Sequence, residues 1–257
     1  MSSAPDLNRL PAILAALAVG CCASASAATL VENFDSANLP GWTVINHSEP
    51  IGTIDWFQGD TLRFSAQGGA AGSYAAADFR SGAGVANISD WLITPTLNFN
   101  NGDTLNFYTR TVSGSLFPDR LEVRFSAVGG TDVGVGAASV GSFSALLLSV
   151  NPNLSVGGYP ANYWKSYSYT FSNLAGATNG AIGFRYFVSD GGDGSNSNYI
   201  GLDTVSITAA VPEPSSWLML AFGLGALGML RARHSRSAET ARMGTDRLGT
   251  GCAGQRV

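Results

Sequence analysis

Apolar and polar residues alternate with a period of two along much of the chain. The clearest run covers residues 120–127. There Leu121, Val123 and Phe125 point one way, and Arg120, Glu122 and Arg124 the other. Leu105 and Phe107 alternate with Asn106 and Tyr108, and Tyr167, Tyr169 and Phe171 with Ser166, Ser168 and Thr170. Ile182, Phe184, Tyr186 and Val188 alternate with Gly183, Arg185 and Phe187. Such runs predict half-buried antiparallel strands. Asn100-Asn101-Gly102-Asp103, the segment 128–132 and Asn179-Gly180 carry turn chemistry between them.

A further run breaks phase. Ile200 and Leu202 share one face, whereas Val205 and Ile207 share the other. A β-bulge near Asp203-Thr204 would turn both halves inward. Residues 66–86 and 133–150 are rich in small residues and predict long loops or edge strands. Many short strands with no 3.6-residue apolar period point to an all-β fold, a jelly-roll-like antiparallel β-sandwich over residues 29–210. Trp42 and Trp91, each near a strand end, are expected to cap its core.

Both ends of the chain depart from this pattern. Arg9 precedes an apolar stretch beginning at Leu10, and Ala25-Ser26-Ala27 supplies a small-x-small cleavage pattern. Residues 1–28 therefore read as a signal peptide, cut near Ala25 and Ala27, which engages the secretion translocon. The alternative is lipidation at Cys21, although Ala18 stands where such signals usually carry leucine. At the other end, residues 217–230 form an uncharged apolar run followed by Arg231, Arg233 and Arg236. As a helix the run is about 21 Å long, short of the ~30 Å hydrocarbon core. Bilayer thinning and snorkelling arginines cover that deficit, and an acid-free arginine flank suits the cytoplasmic side. The sequence thus predicts a β-sandwich flanked by an N-terminal signal peptide and a C-terminal transmembrane helix. Residues 237–257 are polar, unpatterned and read as a disordered tail.

Composition narrows the chemistry. All three cysteines, Cys21, Cys22 and Cys252, lie outside residues 29–210. The domain thus has no disulfide framework and no thiolate nucleophile. It holds 14 acids against 7 bases, a net charge of −7. That balance argues against nucleic acid as a partner.

Pro212-Glu213-Pro214, the apolar run 217–230 and the arginine cluster stand in that order over residues 211–236. The arrangement resembles the PEP-CTERM sorting signal. The resemblance implies an exosortase, a membrane-embedded processing enzyme that recognises the tripeptide and removes the helix. Pro212, Glu213 and Pro214 would then be a substrate site. This chain departs from that pattern by continuing for 21 residues beyond Arg236.

A second resemblance rests on four ordered pieces. They are Glu32-Asn33-Phe34-Asp35 with Leu39-Pro40-Gly41-Trp42; Asp90-Trp91-Leu92-Ile93-Thr94-Pro95; Asp119-Arg120-Leu121-Glu122-Val123; and Asn198-Tyr199-Ile200-Gly201-Leu202-Asp203-Thr204-Val205. Together they resemble the choice-of-anchor J domain, which is similar to cleaved-adhesin and MAM-like jelly rolls. The resemblance implies an extracellular sandwich without a defined catalytic activity.

Candidate chemistry is sparse. Glu32, near the first strand, and Asp203, near the last, are expected to meet, and two carboxylates brought together invite a structural Ca2+. Residues 189–198 are dense in oxygen ligands but lack a closing bidentate glutamate. His47 is the domain's one histidine and falls in the turn-like Asn46-His47-Ser48-Glu49-Pro50, without a Gly-x-Ser-x-Gly elbow elsewhere. Gly223, Gly225 and Gly228 match a dinucleotide fingerprint by letter, but they sit inside the apolar run with no strand before them. The sequence therefore predicts a non-enzymatic exported protein of the cell surface or exopolysaccharide matrix. The alternative is a carbohydrate-binding or carbohydrate-active protein on the same scaffold.

Overall fold

The computed structural model describes residues 29–36, 39–210 and 221–228. The chain divides into two compact units, Met1–Ala209 and Ala210–Val257. The first carries thirteen strands in chain order: β1 (Leu30–Glu32), β2 (Thr43–Asn46), β3 (Glu49–Ile51), β4 (Phe57–Gln58), β5 (Ala75–Asp78), β6 (Gly82–Ile93) and β7 (Leu97–Phe99). There follow β8 (Thr104–Thr111), β9 (Leu121–Ser126), β10 (Ala145–Val150), β11 (Lys165–Thr170), β12 (Thr178–Gly192) and β13 (Tyr199–Thr208). A 3-10 turn, Phe79–Ser81, joins β5 to β6.

Two antiparallel sheets face each other. One runs β11-β8-β13-β5-β4, with β1 also on β13; the other runs β10-β9-β12-β6-β2, with β3 on β6 and β7 on β12. The main core between them is built by the alternating residues. Leu105 and Phe107, Leu121, Val123 and Phe125, and Ile182, Phe184, Tyr186 and Val188 join one buried cluster. Ile200, Leu202, Val205 and Ile207 join it too. The phase break is resolved by a register shift between Asp203 and Ser206, with Thr204 at φ 48°. The bulge keeps both halves of β13 facing inward. The architecture is an all-β two-sheet sandwich of jelly-roll type.

Some expectations are corrected. Asn179-Gly180 is not a turn: Asn179 pairs with Asn98 and Gly180 with Leu97 inside β12. A Cβ on Gly180 would come within 2.4 Å of the Phe125 ring, so close packing explains the glycine there. Residues 66–86 are not merely loop, since they contain β5, an interior strand between β13 and β4. Within 133–150, β10 is an edge strand. Trp91 is fully buried but faces away from the main core. It packs with Ile93, Ala181, Val133 and Phe143 in a second, smaller cluster on the outer face of β6 and β12. Trp42 belongs to the main core.

Strand pairing fixes the two ends of the sandwich. Leu30 lies opposite Ile207, and Thr208 opposite Thr104, so the first and last strands meet at one end. At the other end Tyr199 lies opposite Asp78, Ile200 opposite Thr111, and Gly192 opposite Val85. The connections 112–118, 151–161 and 193–198 gather there with the turn Phe79–Ser81.

Candidate functional site

The expected membrane run is represented by residues 221–228, which are helical and exposed. Among the described residues no helix is long and apolar enough to cross a membrane. A Cβ added at Gly223, Gly225 or Gly228 would meet nothing within 4 Å. Pro212, Glu213 and Pro214, the arginines 231, 233 and 236, and Cys21, Ala25 and Ala27 lie outside the described residues.

Glu32 pairs with Val205 across β1 and β13, two residues along from Asp203, but the two carboxylates share no hydrogen-bond partner. All four carboxylate oxygens already accept hydrogen bonds. Glu32 Oε1 accepts from Phe34 N at 2.7 Å and Oε2 from Trp42 Nε1 at 3.2 Å. Asp203 Oδ2 accepts from Gln67 N at 2.7 Å and Gly68 N at 3.3 Å. Its Oδ1 accepts from Thr204 N at 2.6 Å. This donor set suits carboxylates pinned by N–H groups rather than a hard dication. Among the described residues no group of three or more His, Cys, Asp or Glu is arranged to hold a metal. Asp203 is fully buried, and burial pushes its carboxyl up to about 6.

The oxygen-rich segment 189–198 closes on itself. Asp190, at φ 52°, accepts from Ser195 N through Oδ2 at 3.2 Å, and its carbonyl accepts from Asn196 N at 2.9 Å. The first part of the segment is strand, as β12 continues to Gly192. His47 Nδ1 is buried without a hydrogen-bond partner, and among the described residues the imidazole shares no hydrogen bond with a serine or carboxylate. The side chain lines a shallow groove with Glu49, Ile51 and Val135.

Sequence reasoning missed a buried polar network. Arg185 is 1% exposed. Its Nε donates to Ser89 Oγ at 2.9 Å, Nη1 to Glu122 Oε2 at 3.1 Å, and Nη2 to the Ala137 carbonyl. The guanidinium lies 4.9 Å from the Trp91 ring centroid and 3.6 Å from that of Phe187. Arg124 Nε also reaches Glu122 Oε2, at 2.7 Å. Asp119 is buried as well, and burial raises its carboxyl. It accepts from Thr111 Oγ1 and Tyr186 Oη, both at 2.6 Å, and from Asn198 N at 2.7 Å. Asp119 thereby ties β8, β12 and the start of β13 together under the loop end. Its position after Pro118 at a strand start is a sequence cue, but only pairing reveals its partners.

Three depressions adjoin at that end. One, of about 260 Å3, is lined by Leu116, Phe117, Pro118, Val156 and Tyr159, with Asp119 among its walls. A second, of about 320 Å3, lies between Phe79, Phe117, Asp193 and Asn198. The third runs past Phe79, Arg80, Gly84 and Asp193. The described tryptophans are not there. Trp42, Trp56 and Trp91 are buried, and Trp164 packs on Phe64 and Tyr74 while donating to the Ser65 carbonyl at 2.9 Å.

Comparison with protein families matches residues 210–236 to the PEP-CTERM protein-sorting motif. The chain carries a sorting signal. The PEP-CTERM motif begins two residues after the end of β13. It indicates export and sorting to the cell surface. No curated protein sequence matches the chain. Among solved structures, the K1 cleaved adhesin domain of Lys-gingipain from Porphyromonas gingivalis W83 is similar, with TM-score 0.50 and 22% identity. The match covers 71% of this chain and 98% of that one. The K3 cleaved adhesin domain of the same protein gives TM-score 0.48 and 18% identity over 70% of this chain and 96% of that one. The CBM22-1 xylan-binding domain of Paenibacillus barcinonensis Xyn10C gives TM-score 0.42 and 12% identity over 73% and 99%. The likeness to the K1 domain is one of fold.

Proposed function

We propose that this chain is a non-enzymatic protein of the cell surface or exopolysaccharide matrix, delivered by its PEP-CTERM segment. The observation that carries the reading is the sorting motif at residues 210–236, directly after the last strand of the sandwich. In this reading the N-terminal segment engages the translocon, and residues 29–210 fold outside the cytoplasm. The run 217–230 halts transfer with Arg231, Arg233 and Arg236 on the cytoplasmic side. An exosortase-type enzyme then cuts near Pro212-Glu213-Pro214 and releases or re-anchors the sandwich.

Replacing Pro212, Glu213 and Pro214 by alanines tests the reading. An immunoblot of fractionated cells is expected to show a larger, membrane-retained form in place of the processed one. Processing that continues unchanged would exclude the tripeptide as the recognition site.

A further inference from the structure

The end of the sandwich opposite Leu30 and Thr208 is built from the connections 112–118, 151–161 and 193–198 and the turn Phe79–Ser81. Exposed apolar side chains collect there: Phe79, Val85, Leu116, Phe117 and Val156. Phe117 is 49% exposed and Phe79 37%. Phenyl rings left this open on neighbouring loops add little to the core and form a contact surface instead.

Both rings wall the 320 Å3 depression, together with Asp193 and Asn198. Phe117 also walls the 260 Å3 depression, and Phe79 and Asp193 also wall the third. The three adjoin through these residues as a trough, whose 320 Å3 depression alone is of a size that small-ligand sites use (~300–1,000 Å3). Asp193 is exposed, and its carboxylate makes no hydrogen bond or ion pair among the described residues. Arg80, the trough's cation, is committed to Asp78. Its Nε donates to Oδ1 at 3.1 Å and to Oδ2 at 3.0 Å, and its Nη2 to Oδ2 at 2.5 Å. The trough thus offers two partly exposed phenyl rings and an unspent acceptor, with its arginine already paired.

We propose that this trough binds a neutral polysaccharide. The C–H face of a pyranose ring is apolar and matches a phenyl ring, while its hydroxyl edge donates and matches the Asp193 carboxylate. Phosphate-bearing and acidic polymers would meet an unpaired carboxylate on a domain whose 7 bases against 14 acids leave −7. The site is independent of how the chain is sorted, so failure of the tripeptide experiment leaves it standing.

Isothermal titration of the intact protein in detergent, with neutral hexasaccharides of glucose, galactose, mannose and xylose as probes, tests it. Saturable binding to at least one is expected, with Kd on the order of 10⁻³ to 10⁻⁵ M. F117A should weaken that binding about tenfold, the equivalent of one aromatic contact, and D193A should weaken it similarly. Both side chains are exposed, so the melting midpoints should stay within about 2 °C of the parent. V135A, exposed but outside the trough, should leave binding unchanged. No saturable binding to any of the four probes overturns the proposal. So does binding that F117A and D193A leave intact.

Discussion

Asp203 stands at the bulge of β13 and holds residues 67 and 68 to the sheet through two backbone N–H groups. Burial lifts its carboxyl to about 6, against ~3.9 in an unfolded chain. Between those values the native state binds more protons than the unfolded one. The stability contribution is therefore present at low pH and lost as pH rises through about 6. Urea melts at pH 4, 5, 6 and 7 should show this fall, and D203N should flatten it. A parent and D203N with parallel pH profiles would remove Asp203 as the source. The same satisfied oxygens bear on calcium. EDTA is expected to leave the thermal midpoint within about 1 °C, and a fall of several degrees would show that a cation helps hold Glu32 and Asp203.

Strands were legible where one face meets the main core and the other meets water or a loose cover. Residues 104–111 and 165–170 fall in this class, and the phase break over 200–207 even located the bulge, since only an inserted residue keeps Leu202 and Val205 on one side. Legibility failed where both faces are covered. On β12 the outer face lies under residues 133–143, so Gly183 is pressed by Trp91 and Phe143, and Arg185 is buried where alternation suggests a solvated position. On β5, Ala75 and Ala77 enter the main core while Ala76 lies among Phe64, Tyr74 and Tyr199, so no polar phase marks the strand. The trough was invisible for another reason: its walls come from four connections far apart in sequence. Burial on β12 has a measurable consequence. R185A should lower unfolding free energy by roughly 3–5 kcal/mol. It strips donors from Ser89 Oγ and the Ala137 carbonyl, removes one partner of Glu122, and empties the space between Trp91 and Phe187. A denaturant midpoint shift worth less than about 1 kcal/mol would mean that the cover over β12 opens and hydrates the guanidinium.

At the scale of the molecule, folding and sorting are written in separate stretches of chain. Every side chain of the three buried clusters falls between residues 30 and 207, and the described helix at 221–228 is exposed along its length. The hydrophobic contribution to stability scales with apolar area removed from water, and the sandwich completes that burial before the PEP-CTERM motif begins. A chain ended after Ala209 should therefore keep the near-ultraviolet circular dichroism of the intact protein and a melting midpoint within about 2 °C of it. The same truncation removes the sorting motif, so the shortened protein should appear in the culture medium instead of the membrane fraction. A truncated chain that is secreted but melts several degrees lower would show that residues beyond 209 contribute to the core. One that folds but stays with the membrane would place a retention signal upstream, where Cys21 is the residue to change first.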